Sequence, residues 1–482
     1  MNIALIWFRR DLRLHDNPAL SYAVQQGYHL LPVYLYAPEE ELPWSPGAAS
    51  RWWLHHSLFE LRKQLQQQQL PLLLFKTQNS LQTLQQLITH TGAKAVFWNR
   101  CYEPILQKRD EQIKQQLRQL GLEVRSFNGF LLHEPWTVQT QQHTPFKVFT
   151  PYWNACQKQT ISITPLPKIS DISTACAPSE TFSFPNTCDL AELDLLPRVN
   201  WTEGLAATWA IGEVAALAQL QRLCQDKLAD YQARRDFPGS DGVSRLSPYL
   251  HFGELSVRQV YYEVQRTMAN NPECRKGGES LLRQLYWREF AWHLLYHFPY
   301  TSEYPLYDKF SALFSCKTDK DQLTAWQTGH TGYPIVDAGM RELWHTGWMH
   351  NRVRMLVASL LTKNMGISWL EGAKWFWDTL VDADLANNTL GWQWVAGCGA
   401  DAAPYYRFFN PQTQSEKFDP QANYIRRWLP EFAHLDERAC HNPTALQRIP
   451  LNYPAPIVDY KSSRETALAA YGRLKQESSR QK

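Results

Sequence analysis

Thirteen residues, Asp382 to Trp394 (DADLANNTLGWQW), carry two carboxylates (Asp382, Asp384), two amides (Asn387, Asn388) and two indoles (Trp392, Trp394). Just upstream, TGWMHNRVRM at 346–355 sets Arg352, Arg354 and Met355 on one helical run. Donors, acceptors and large rings at this density make a poor apolar core. They suit a pocket for a polar heteroaromatic ring beside an aromatic surface. Arg352 and Met355 lie three apart and share a helix face, with Arg354 on a neighbouring strip. An arginine turned inward needs a counter-charge. In GVSRLSPYLHFGELS (242–256), Ser244 and Ser247 flank Arg245 ahead of a helical run. Hydroxyls and free amides at a helix start can hold phosphate, although a lone S-x-x-S is more often an ordinary N-cap. LLRQLYWREFAWHLL (281–295) puts Trp287, Arg288 and Phe290 on a helix, in isolation an aromatic core stripe with a solvated arginine.

The elements that must position these groups fall into two kinds. Over residues 1–132, short apolar runs read as strands at Ile3–Phe8, Leu30–Tyr36, Pro71–Phe75, Ala95–Asn99 and Glu123–Phe127. Amphipathic stretches between them (Arg51–Gln69, Ser80–Thr91, Ile105–Leu120) read as helices. The alternation implies a doubly wound parallel sheet. Its first turn, RRDLRLHDNPAL, has no glycine-rich fingerprint. Residues 133–205 read as a connector, rich in Pro, Ser and Thr from 160 onward. From about Trp209 the pattern is helical: Ile211–Asp230, Ser256–Met268, Ser280–His297, Gln322–Thr328, Ile335–His345, Asn351–Asn364, Ser368–Thr379. The expected architecture is α/β plus all-α, with a helical catalytic domain over 206–475 and a frayed tail over 476–482.

At 482 residues the chain suits about two to three domains. Its 49 basic and 46 acidic residues leave a net charge of +3, so any nucleic-acid partner must be met by a local patch. Twenty tryptophans exceed what one or two core indoles explain; they point to stacking or redox work, with aromatic cores taking most of them. The N-terminus lacks a signal-peptide h-region and no run of about 18 apolar residues occurs, which reads as a soluble cytoplasmic protein. The nine cysteines show no CxxC pair, so neither zinc, an iron–sulfur cluster nor a disulfide framework is indicated.

SRLSPYLHFGELS, WREF and DADLANNTLGWQW resemble the DNA photolyase and cryptochrome family, and the resemblance runs from Met1 to about Arg473. It implies an FAD pocket. Tyr231 would lie on the adenine or ribose side, and Val243, Ser244, Arg245, Leu246 and Ser247 would form the diphosphate loop. Val243 replaces a threonine usual in many members, at the loss of a hydroxyl contact. Arg354 would pair with Asp382, Asp384 would accept from the flavin imide, and Asn388 would face flavin N5. The last position is Asp in plant cryptochromes, so Asn388 favours a repair enzyme. The resemblance places a flipped pyrimidine dimer between Trp287 and Trp394, with Gln284, Asn351 and Met355 around it. Arg288 would reach flavin or DNA phosphate, and Arg235, Arg352, Arg407 and Lys417 are the DNA phosphate contacts it implies.

Three departures carry consequences. Gln284 stands where repairers of cyclobutane dimers carry Glu, and it can donate a hydrogen bond but no proton, so repair is expected to be weakened. Enzymes for the (6–4) photoproduct place histidines where this chain has Asn351 and Met355, which favours the cyclobutane dimer. Electrons reach the family's flavin along three tryptophans. Trp392 and Trp369 match two of them, and Cys316 occupies the third position, so slow photoreduction is expected, or an exit through Trp344, Trp375, Trp377 or a tyrosine.

The α/β domain resembles the family's antenna domain (WFRRDLRLHDNPAL, NRCYEP, KVFTPYW), and GAASRWWLHHSL resembles the bacterial class III branch. Ile105 and Leu106 replace an Asn-Glu pair that binds folate in one enterobacterial type. A class III type of folate site, a deazaflavin, a second flavin or no antenna all remain open. The expected partner is UV-damaged DNA, bound by a monomer. The alternatives are a cryptochrome-like photoreceptor, against which stands the lack of a long C-terminal extension, and a (6–4) enzyme. An ATP-binding α/β protein with a helical lid would need a glycine-rich phosphate loop, which is missing.

Overall fold

The computed structural model describes residues 2–167, 184, 186–314, 318–402 and 406–480. Five strands, β1 (Ile3–Phe8), β2 (His29–Tyr36), β3 (Leu73–Lys76), β4 (Ala95–Asn99) and β5 (Glu123–Phe127), form one sheet in the order β3-β2-β1-β4-β5. Every pairing is parallel, with Ile3 opposite His29 and Ala4 opposite Ala95. The reversal of strand order places the switch point between β1 and β4, where open α/β sheets bind ligands. β1 is buried on both faces. Ile3, Leu5 and Trp7 pack into an outer core, while Ala4, Ile6 and Phe8 join the core shared with the helical domain. This is the period of two expected of a doubly covered strand.

Helices α1 (Pro18–Gln25), α2 (Ala48–Gln67), α3 (Ser80–Thr91) and α4 (Pro104–Gln119) complete this domain. The sequence reading missed α1 inside RRDLRLHDNPAL. Asn17 caps it by accepting from the Leu20 amide at 3.2 Å, and Pro18 occupies its first turn. The same segment is the plug that joins the two domains. Asp16, fully buried, accepts from Arg258 Nε at 3.1 Å, Ser256 Oγ at 2.5 Å and the Leu166 amide at 2.8 Å. Arg13 donates to Gly253 O at 2.9 Å and Gly129 O at 2.8 Å, and Glu213 accepts from the amides of Leu14 and His15.

Beyond the connector, which holds a helix at Phe149–Cys156, the described elements are helical. Arg275–His297, Pro334–Thr346, Asn351–Ser359, Trp369–Thr379 and Leu385–Ala396 build the second core around Trp292, Trp326, Trp369 and Trp392. The run expected over 351–364 continues past Ser359 as a wider π-turn, Leu360–Asn364. The chain closes with a helix over Tyr460–Arg480, so residues 476–480 are helical rather than frayed. Residues 481–482 lie outside the described set. No described helix is long and apolar enough to cross a membrane.

Candidate active site

Leu385–Ala396 begins at Asp384, whose Oδ1 accepts from the Asn387 amide at 2.8 Å. The carboxylate therefore caps the helix. It is further engaged by Asn387 Nδ2 and, through Oδ2, by Trp292 Nε1 at 3.1 Å. An imide donor would have to share these oxygens. Asp382 forms a forked ion pair with Arg354 Nη2, at 3.1 and 2.9 Å, and Arg354 Nε donates to Met349 O at 2.8 Å. Asn388 donates its Nδ2 to Ala373 O at 3.0 Å. That bond fixes which way the amide points and leaves its oxygen as an acceptor.

Trp348 links this group to the phosphate-type loop. Its ring lies 5.1 Å from the guanidinium of Arg245 and 5.9 Å from that of Arg354, and its Nε1 reaches Ser247 Oγ at 3.4 Å. Arg245 holds a left-handed backbone (φ 53°) with a buried, unpartnered Nε. Ser244 is tied through its carbonyl to Gln219 Nε2 at 2.8 Å, and Leu246, Val243 and the buried Tyr231 pack in the adjoining core. Beneath them the buried Glu342 accepts from Tyr424 Oη at 2.6 Å and the His350 amide at 3.3 Å. Burial pushes its pKa up to about 7 against the pull of these bonds and of Arg245 and Arg354, and burial likewise lowers His350 to about 4.

On the Arg275–His297 helix, Gln284 Oε1 accepts from Arg235 Nη2 at 3.1 Å. Trp287, three residues on, has one ring face covered by Phe149, stacked at 3.8 Å. Trp394 stacks on Phe409 at 6.2 Å. Arg352 lies 4.2 Å over the Phe418 ring and pairs with Asp236 at 2.9 Å, a partner the sequence did not suggest. Asn351, Arg407 and Lys417 are exposed and Met355 half-buried. One expectation is corrected: Arg288 is too buried, at 9 % exposure, to reach a DNA phosphate. It donates to Phe130 O at 3.1 Å and lies 4.1 Å over the Phe130 ring, with Nη2 buried and unpartnered.

The rings against Trp392 are Phe376 at 5.0 Å and Trp326 at 6.1 Å. Trp369 is buried in the same core, and Cys316 lies outside the described residues. A separate column, Trp375–Trp344–Trp201, stacks at 6.1 and 5.6 Å and reaches solvent at Trp344, which is 51 % exposed.

Sequence reasoning named no antenna residues. A narrow cleft opens beside the ends of β1 and β2, lined by Trp7, Arg9, Arg10, Tyr34, Glu41 and Trp377, among others. His251 and Phe252 also line it, so both domains contribute. Leu106 forms part of its wall while Ile105 is exposed. Each cleft arginine has a carboxylate: Arg9 meets Asp110, Arg10 meets Glu103 and Glu41, and Arg109 meets Glu40 and Asp110. The strand order that fixes the switch point emerges only in the fold, so the sequence carried no signal for these residues.

A parallel α/β domain plugged into a helical domain, whose core presents a fixed amide acceptor and a forked arginine–aspartate pair, is the arrangement of a two-domain flavoprotein. Residues 4–170 match the family model described as DNA photolyase, and residues 281–473 the one described as FAD binding domain of DNA photolyase. A deoxyribodipyrimidine photo-lyase of Agrobacterium fabrum is 43% identical, covering 98% of each chain. Cryptochrome-2 of Arabidopsis thaliana is 38% identical over 98% of this chain and 79% of that protein. A solved bacterial class III photolyase from Agrobacterium tumefaciens superposes with a TM-score of 0.91 at 41% identity, covering 99% of this chain and 98% of that one. The chain belongs to the DNA photolyase and cryptochrome family and carries its FAD-binding domain.

Proposed function

We infer that this protein is a carbon–carbon lyase of the cytoplasm that repairs cyclobutane pyrimidine dimers in DNA with light, acting as a monomer. The observation that carries the reading is the near-full-length relation, at 43% identity, to a deoxyribodipyrimidine photo-lyase.

The residues fit FAD. Arg245 Nε and Arg288 Nη2 are buried without partners, and such atoms suit a ligand that supplies acceptors. Tyr231, Val243, Ser244, Arg245, Leu246 and Ser247 would hold its adenosine and diphosphate side. Arg288, Arg354, Asp382, Asp384 and Asn388 would hold the ring. Reduced FAD, when bound, supplies light absorption and a single electron. The chain's own residues do the rest by position. Asn388 presents an acceptor whose orientation Ala373 fixes. Trp287 and Trp394 wall the flipped dimer, at an unstacking cost of a few kcal/mol. Met355 and Asn351 fill the space beside it, and Arg352, Arg407 and Lys417 meet the backbone. No side chain is asked to break a bond by acid or base.

The cleft at the sheet's switch point suits a second chromophore. Because its arginines are already paired, it favours a planar ring with its own donors and acceptors over a phosphate-rich group. Trp377→Ala should then cost the purified protein any absorbance beyond that of FAD.

The test is light-dependent repair of a thymine dimer in a defined oligonucleotide by protein with chemically reduced flavin. Repair is expected. Bound FAD without repair, and without preference for damaged over intact DNA, would instead favour a cryptochrome-like photoreceptor.

A further inference from the structure

We propose that Lys363 is a positioning residue for DNA: a buried ammonium that braces the segment 406–409 from beneath, so that the protein grips the duplex more tightly when Lys363 carries its proton and takes up a proton on binding. The proposal rests on the reading above in one respect, that Arg407 meets the DNA backbone. Lys363 sits in the π-turn Leu360–Asn364 and is 3 % exposed. Its Nζ donates to the carbonyl oxygen of Arg407. It also lies 4.5 Å from the Tyr406 ring and 5.7 Å from the Phe408 ring. Ser359, about one helical turn earlier, accepts from the Phe409 amide at 3.3 Å. The segment belongs to no helix or strand, so its backbone groups look to side chains, and these two contacts set where Arg407 leaves the surface. Arg407 is exposed, and Phe409 stacks on Trp394 at 6.2 Å.

No carboxylate answers this cation: among the described residues Lys363 makes no ion pair. The titratable and charged groups that face it are Cys398, Tyr406 and Arg407. Tyr471 of the final helix stacks on Tyr406 at 4.5 Å, and Arg464 of the same helix lies 5.7 Å over the Phe408 ring. Burial holds Cys398 and Tyr406 in their protonated, neutral forms. Burial also lowers the Lys363 pKa to about 7, opposed by Cys398 and aided by Arg407. Near neutral pH the amine therefore exists in both forms. The ammonium holds the segment by charge-assisted donation to the Arg407 carbonyl and by attraction to two ring faces. The neutral amine keeps a weaker bond and loses the attraction to the rings. A phosphate at Arg407 acts on the same balance. It sets a negative charge near Lys363 and offsets the repulsion from Arg407, so the complex holds the proton more tightly than the free protein does. The contribution to affinity is full below about 7 and is lost as pH rises through the higher pKa of the complex.

The experiment titrates dimer-bearing and intact duplex oligonucleotides with FAD-loaded wild type, K363R and K363M at fixed salt, from about pH 6 to pH 9. Affinity is read by fluorescence anisotropy, and proton uptake by calorimetry in buffers that differ in ionisation enthalpy. Wild type should bind both duplexes about fivefold more weakly at the upper end of that range than at the lower, and take up a fraction of a proton between. K363R, charged throughout, should bind at the tighter level at every pH and lose the uptake. K363M should bind at the weaker level at every pH and lose it as well. Either variant alone decides the matter if the other fails to take up FAD. A wild-type affinity that stays flat with pH, or a slope and proton uptake that persist in either variant, would overturn the proposal and leave the repair reading standing. A wild type that binds neither duplex at any pH would overturn the repair reading, and this proposal with it.

Discussion

Glu342 shows how a single carboxyl is set against its surroundings. Burial raises it to about 7 from an ordinary 4.5. Between those values the folded chain keeps a proton that the unfolded chain has lost, so its contribution is full below about 4.5 and falls away as pH rises through 7. Both bonds to Glu342 end on the same oxygen, so a glutamine can keep them. Glu342→Gln should therefore gain on wild type by up to about 3 kcal/mol from pH 5 to pH 8, read by urea unfolding at each pH. The tryptophan column makes a second residue-scale prediction. If the electron does not pass through Cys316, where the sequence reading expects a tryptophan, Trp344→Phe should slow light-driven reduction of the flavin by about tenfold, a barrier change of about 1.4 kcal/mol. Repair with chemically reduced flavin should not change. Equal photoreduction in both proteins would rule the column out. Of the site's pairings, Arg354 with Asp382 was anticipated: the inward arginine demands a counter-charge, and the family resemblance supplied Asp382 as its partner. The pairs Arg352–Asp236 and Arg235–Gln284 were not: they join half-exposed side chains far apart in sequence, where periodicity carries no signal.

At the scale of elements, one tight constraint lies where Trp369–Thr379 crosses Leu385–Ala396. A Cβ on Gly372 would lie 2.1 Å from the Trp392 ring. Neither group can yield, since Trp392 is itself wedged against Phe376 and Trp326. Gly372→Ala should cost about 1–3 kcal/mol by overpacking. It should also shift the near-ultraviolet dichroism of the core; an unchanged spectrum and stability would show that the crossing can relax. The strands were legible because each is a short apolar run of strand length, and the structure keeps every one within about two residues. The final helix, Tyr460–Arg480, was not, because its exposed, charged sequence leaves little apolar periodicity to read. The first helix carried its signal in Asn17 and Pro18, which were read as a turn.

For the whole molecule, the decisive region is the plug around Asp16. Three donors from two other parts of the chain converge on one buried carboxylate, so Asp16→Asn strands the positive charge of Arg258. A loss of about 3 kcal/mol is expected. Calorimetry should show one transition in wild type splitting into two as the halves part company; a single, merely lowered transition would place the coupling elsewhere. The two-domain architecture was readable from the switch of hydrophobic period, but the joint was not, because nothing in RRDLRLHDNPAL announces partners as distant as Leu166, Glu213, Gly253, Ser256 and Arg258.

The cleft beside β1 and β2 has a further meaning. Its walls come from Trp7 and Tyr34 on one half and from His251, Phe252 and Trp377 on the other. Whatever settles there is mortar between two bricks. At a hundredfold excess over its dissociation constant it would add about 2.7 kcal/mol of resistance to the halves separating. A pigment taken up to gather light would then also raise heat tolerance, and protein made where that pigment is scarce would be the more fragile.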